Sequence, residues 1–134
     1  GDLIAGGAFT QMDGVPAAGI ARWNGTSWSA VGAVVPFPVV TYALAVLPNG
    51  DLVAADEVGV RRFDGAAWST LATTDGFVTS LLVESDGDLI AGGLFSSLNG
   101  QGFENVARWN GSQWQRLGFG VGWRVSGLGA LPNG

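Results

Sequence analysis

The chain has 134 residues, a net charge of −5, and six basic residues that are all Arg. So acidic a chain lacks the positive footprint with which nucleic-acid-binding proteins hold phosphates. The absence of Cys excludes disulfides and thiolate metal sites, and the absence of His removes the usual general base and the commonest metal ligand.

Residues 2–50 open with a short apolar strand, Leu3-Ile4-Ala5, followed by the glycine pair Gly6-Gly7 and a loop over residues 8–19. A strand ending Ala21-Arg22-Trp23 comes next, then an Asn24-Gly25 turn and a strand opening on Trp28. After a second loop at 31–39, the apolar run 40–47 predicts a fourth strand, which ends at the turn Pro48-Asn49-Gly50. Residues 51–87 repeat this order in degenerate form. Ala55-Asp56 replaces the glycine pair, the loop shrinks to 56–59, and Phe63-Asp64-Gly65 leads to Trp68. The loop 72–77 and a strand at 78–83 follow, closed by Ser85-Asp86-Gly87. Residues 88–134 restore the full pattern: Leu89-Ile90-Ala91, Gly92-Gly93, a loop at 94–105, a strand at 106–109, Asn110-Gly111, Trp114, and a loop at 118–123. A strand at 125–131 leads to Pro132-Asn133-Gly134.

The chain is therefore a tandem repeat of all-β units, each too small to bury its apolar face alone. Short bounded apolar runs are strand-like, and no segment carries a capped helical period. Asn-Gly and Asp-Gly accept positive φ at little cost, so both classes of turn are expected to be hairpin turns between antiparallel strands. The 23 Gly do not signal disorder, because 47% of residues are apolar and there are six Trp and seven Phe. No apolar run approaches the roughly 18 residues of a membrane span, and no signal peptide is visible. The chain starts and ends on equivalent turn glycines without an initiating Met, so it is expected to be an excised or mature segment of something longer.

In every unit an aromatic residue precedes the second turn and a Trp follows five residues later: Trp23 and Trp28, Phe63 and Trp68, Trp109 and Trp114. Across a hairpin these rings are expected to meet, a contact worth roughly 0.2–1 kcal/mol, and the later Trp to pack between units. Arg22, Arg62 and Arg108 recur beside the aromatic and are expected to pair with the recurring Asp2, Asp51 and Asp88. Asp86-Gly87-Asp88 lacks the acidic series of a calcium loop and is read as a turn. The sequons at Asn24 and Asn110 coincide with turns that the middle unit keeps as Asp64-Gly65 without a sequon, so turn chemistry explains them.

The glycine pairs after an apolar strand, Trp23 and Trp109, and Trp28 and Trp114 five residues on resemble the kelch family. Similar repeats occur in bacterial secreted proteins and fungal cortical-marker proteins. The resemblance implies a β-propeller segment of three tandem four-stranded blades in a single domain over 1–134, with repeats 2–50, 51–87 and 88–134, in an extracellular or cell-surface setting. Closed propellers have about four to eight blades. Three blades are thus incomplete as a ring, being either part of a longer propeller or closed by oligomerisation, a dimer giving six blades.

In that arrangement the tight turns share one face. The loops 8–19, 56–59 and 94–105, with 31–39, 72–77 and 118–123, share the other, where binding usually resides. Met12, Phe37, Phe103, Phe119 and Trp123 are the candidate ligand- or partner-binding residues there, with Val34 and Val35 beside them. The expected function is non-catalytic binding of a protein or glycan, or assembly, without cofactor or metal and without nucleic acid or membrane. A lectin-like propeller using Phe37, Phe119 and Trp123 as sugar platforms is the alternative. A third possibility is part of a carbohydrate-active enzyme whose catalytic residues lie outside this chain. The kelch-type copper enzyme galactose oxidase needs His and Tyr ligands, and here Tyr42 stands alone. Asp13, Asp56, Glu57, Asp75 and Glu104 lie in or close to the variable loops, but no spacing selects a pair for glycoside hydrolysis.

Overall fold

The computed structural model describes residues 1–33 and 40–132. It is all-β, with no helix among the described residues, and its main sheets are antiparallel. The first sheet contains β1 (Leu3–Gly6). A small hairpin follows, β2 (Gln11–Met12) and β3 (Val15–Pro16), before β4 (Ile20–Trp23) and β5 (Trp28–Ala30) complete a three-stranded order β1-β4-β5. The second sheet is a four-stranded meander of β6 (Ala43–Val46), β7 (Leu52–Ala55), β8 (Gly59–Phe63) and β9 (Trp68–Thr73). The third begins with β10 (Phe77–Val83) and β11 (Leu89–Leu94). A second hairpin, β12 (Ser97–Leu98) and β13 (Gln101–Gly102), precedes β14 (Val106–Trp109) and β15 (Trp114–Gln115), giving the order β10-β11-β14-β15.

The turns behave as their residues require. Asn24, Asp64 and Asn110 each accept two backbone N–H bonds through Oδ1, from the residues two and three positions on. The glycines that follow, Gly25, Gly65 and Gly111, hold φ of 97°, 97° and 94°. Such a side-chain cap satisfies amides that the loop leaves unpaired. It also sets the register that pairs Trp23 with Trp28, Phe63 with Trp68 and Trp109 with Trp114. Their ring centroids lie 5.4, 5.2 and 5.5 Å apart. The three Arg–Asp pairs form as well: Arg22 with Asp2, Arg62 with Asp51 at 2.6 Å, and Arg108 with Asp88 at 2.6 Å.

Packing joins each sheet to the next. Val53, Val60, Val78, Leu89, Phe95 and Leu98 are buried in the core shared by the second and third sheets. A smaller cluster of Ile20, Leu52 and Ala54, flanked by Val31, Phe63 and Trp68, joins the first and second. In the third sheet the glycine pair has a steric cause. A Cβ on Gly93 would lie 2.0 Å from the Phe77 carbonyl oxygen, and one on Gly92 would lie 2.7 Å from Val125. In the middle unit Asp56 stands where the others have the second glycine. Its buried carboxylate accepts from the Val58 N–H and sits 2.9 Å from Arg61 Nε, bracing the shorter loop that replaces the long one.

Three expectations change. Both long variable loops contain hairpins, turned at Asp13-Gly14 (φ 51° and 77°) and Asn99-Gly100 (φ 51° and 77°). These are dipeptides suited to tight two-residue turns. The run expected as a strand at 40–47 is a strand only over Ala43–Val46. The run 125–131 is not a strand, because no neighbouring strand among the described residues offers it a ladder. Phe37, Val34, Val35 and the Asn133-Gly134 turn lie outside the described residues.

Candidate functional site

Each unit hands the chain to the next through one repeated hydrogen bond. The N–H of Thr41 donates to Gly7 O, that of Val78 to Asp56 O, and that of Val125 to Gly93 O, at 3.2, 3.0 and 2.9 Å. The residues immediately after these anchors, Tyr42, Thr79 and Ser126, therefore occupy one repeated position. All three line a single cavity of about 380 Å³, together with Phe77, Leu94 and Arg124. Tyr42 and Phe77 meet edge to face, with ring centroids 5.8 Å apart. Both rings and Leu94 are substantially exposed. Thr79 Oγ1 donates to the Val125 carbonyl at 2.8 Å, tying the third sheet to the segment that carries Arg124 and Ser126. Arg124 has no carboxylate within ion-pairing distance among the described residues.

Phe77 and Leu94 also belong to a second, more open cavity of about 470 Å³, which continues past Asp75, Glu104 and Asn105 to Trp123. The two form one groove running from Tyr42 to Trp123. Its walls are held by polar braces. Asp75 accepts the Ser96 and Ser97 N–H groups at 2.9 Å each and the Ser96 hydroxyl at 2.5 Å. The Ser96 hydroxyl bond, with the two backbone bonds, pulls the Asp75 carboxyl below its ordinary range. Asn105, buried and with φ 63°, accepts from the Phe95 N–H at 2.9 Å and donates to the Val121 carbonyl at 2.7 Å. Val121 in turn donates to Glu104 O at 2.8 Å. The loop bearing Trp123 is thus bonded to the loop bearing Glu104.

The candidates from the sequence separate. Trp123 is exposed and lines the groove. Phe119 is fully exposed and lines a smaller hollow of about 170 Å³ with Glu104 and Arg116. Phe103 is instead buried in the core shared by the second and third sheets, with the Arg116 guanidinium 5.9 Å above its ring, so it offers no contact surface. Its burial follows from the β12–β13 hairpin, which folds the loop back over the sheet. Met12 is half-buried on β2 and does not line the groove. Phe37 lies outside the described residues. Tyr42, Phe77, Leu94 and Arg124 were not among the candidates: Tyr42 falls inside the run 40–47 expected as a core strand, Phe77 and Leu94 are the end residues of variable loops, and Arg124 lies between the loop 118–123 and the run 125–131. Their one sequence signal was position: each sits where a strand meets a variable loop.

Of the acids, Asp56 is buried against Arg61 and Asp75 is engaged by Ser96 and Ser97, whereas Asp13 is exposed at a turn. Among the described residues no three His, Cys, Asp or Glu side chains cluster as metal ligands do, and no helix is long and apolar enough to cross a membrane. The fold and the groove define an all-β chain of repeated antiparallel sheets with an aromatic-lined surface groove. No family model, no curated protein and no solved structure matches the chain.

Proposed function

We propose that the chain is a kelch-like β-propeller segment acting as a non-catalytic binding module in an extracellular or cell-surface setting, and that its groove takes a glycan. One observation carries this reading. Tyr42, Phe77, Leu94 and Trp123 are exposed apolar groups along a single groove, with the Arg124 guanidinium and the Ser126 hydroxyl at one end. Aromatic faces suit the apolar faces of sugar rings, while a few convergent polar groups orient the ligand. Braced loops such as these bind with little ordering cost.

The test is binding of the 134-residue chain to a glycan array, followed by titration of the hits. Tyr42→Ala and Trp123→Ala are each expected to weaken binding by on the order of tenfold or more. Met12→Ala is expected to leave it unchanged. No glycan hit, together with capture of a protein through the same two aromatics, would convert the ligand class to protein. Turnover of a polysaccharide lost in Glu104→Gln would replace the binding reading with an enzymatic one.

A further inference from the structure

A crevice of about 430 Å³ opens where the second sheet meets the third, and it shares no lining residue with the groove. One wall is the β12–β13 hairpin, which brings Asn99 and Gln101. The other is the tight turn from β14 to β15, which brings Trp109, Ser112, Gln113 and Trp114. All of its lining residues lie between 71 and 114, in two consecutive units, so both walls are complete. Both are also fixed in place. The Asn99 N–H donates to the Thr73 carbonyl at 2.7 Å, and Asn99 Oδ1 accepts the Thr73 N–H at 2.8 Å. A bridge between Thr74 and Leu98 continues that contact. On the other wall Trp114 Nε1 is committed to the Leu71 carbonyl at 3.1 Å, and its ring lies 5.5 Å from that of Trp109. Walls held in this way lose little freedom when a ligand enters.

What the walls present is polar, uncharged and aromatic. No charged side chain lines the crevice. The side-chain amides of Gln101 and Gln113, the Asn99 Nδ2 and the Ser112 hydroxyl make no hydrogen bond among the described residues. Both Trp rings are half-buried, so each keeps part of its surface open. The middle unit shows that packing between sheets does not require this set. There Phe63 stands in the position of Trp109, and Ala66 and Ala67 stand in those of Ser112 and Gln113. The short loop 56–59 carries no hairpin. Trp68 still reaches the Val31 carbonyl, as Trp114 reaches that of Leu71. The junction of the first and second sheets therefore closes with alanines where the next junction carries amides and a hydroxyl.

We propose that this crevice is a second binding site, which takes a neutral pyranose chain. Gln side chains and a Ser hydroxyl each donate and accept, as sugar hydroxyls do, so the two sets of groups match. Indole surface suits the apolar C–H face of a pyranose ring. A phosphate or carboxylate would find no cation on either wall to pair with. The volume falls in the range of small-ligand sites, about 300–1,000 Å³. The site stands apart from the groove and requires no glycan there.

The test is titration of the 134-residue chain with cellohexaose, maltohexaose, mannohexaose and xylohexaose, read by calorimetry and by the side-chain amide signals of Asn99, Gln101 and Gln113 in nuclear magnetic resonance. At least one probe is expected to bind and to move those signals. Hexagalacturonate, a charged control, is expected not to move them. Gln101→Ala and Gln113→Ala are each expected to weaken binding on the order of fivefold. Both side chains are exposed, and the middle unit already carries Ala67 at the position of Gln113, so circular dichroism is expected to be unchanged. Tyr42→Ala alters the groove and is expected to leave binding in the crevice as it was. The proposal is overturned when no neutral probe binds, when affinity is the same in both Gln variants, or when every bound probe is lost in Tyr42→Ala. Because the groove is read through Tyr42 and Trp123 and the crevice through Gln101 and Gln113, either site can fail alone.

Discussion

The indole Nε1 of Trp68 donates to the main-chain carbonyl of Val31 at 2.8 Å, so a side chain of one sheet is tied to the backbone leaving the sheet before it. Trp114 repeats the bond to Leu71 at 3.1 Å. The recurring Trp is therefore both a packing ring and a hydrogen-bond clip. The two roles separate by substitution. Trp68→Ala is expected to cost about 3–5 kcal/mol, because a large ring leaves a cavity between sheets. Trp68→Phe, which gives up mainly the hydrogen bond, is expected to cost about 1 kcal/mol. Urea unfolding of the two variants measures the difference.

Gly93 gives a sharper steric test. A methyl group there would press on the Phe77 carbonyl oxygen, which is backbone and has no rotamer to retreat into. Gly93→Ala is therefore expected to destabilise by about 1–3 kcal/mol. Gly127→Ala, whose added carbon meets nothing, is expected to be neutral to folding. Thermal melts of the two variants compare them directly.

The second glycine was legible as a motif but not as a contact. A sequence shows that Gly92-Gly93 recurs as Gly6-Gly7, but only the approach of β10 shows why Gly93 must lack a side chain, and only the short loop shows why the middle unit holds Ala55-Asp56 instead. There the short loop turns at once, and the Asp56 carboxylate is consumed by Val58 and Arg61. The strands, the Asx turns and the Arg–Asp pairs were readable because each depends on residues close in sequence or on a fixed repeat offset. The groove was not, because Tyr42, Phe77 and Arg124 converge only when successive units stack. Phe103 misled for the opposite reason: the Asn99-Gly100 hairpin signal inside its loop was present, and reading it would have folded that ring inward.

The Arg–Asp pairs should differ in worth according to their surroundings. Arg62 and Asp51 are both largely screened from solvent, whereas Arg22 is mainly exposed. Removing one partner of a half-buried pair leaves the other without its bond, so Arg62→Gln is expected to cost about 1–2 kcal/mol. Arg22→Gln is expected to fall within about 0–1 kcal/mol, as exposed pairs do. Raising the salt concentration should narrow the gap between the unmodified chain and Arg22→Gln more than it narrows the gap for Arg62→Gln. Chemical denaturation in urea at two salt concentrations reads both effects.

Asp64 occupies the turn position that Asn24 and Asn110 hold in the outer units, and it makes the same two bonds, to the Ala66 and Ala67 N–H groups. Those bonds, led by the one from Ala67, lower its carboxyl from the ordinary 3.8. A carboxyl whose folded pKa is depressed binds its proton more readily in the unfolded chain. Its stabilising contribution is therefore present above the unfolded value and is lost as pH falls through the lower folded value. Asp75, lowered chiefly by the Ser96 hydroxyl, acts in the same direction over the same acid range. Stability is thus expected to be level near neutrality and to decline below about pH 4. Asp64→Asn keeps the acceptor oxygen that Asn24 and Asn110 use and removes the titration. It is expected to match the parent chain near neutrality and to lose less stability between about pH 4 and about pH 2. Asp64→Ala removes the acceptor altogether and is expected to be less stable than Asp64→Asn throughout. Melting temperatures of the three proteins across that range distinguish a titrating turn from one that is merely polar.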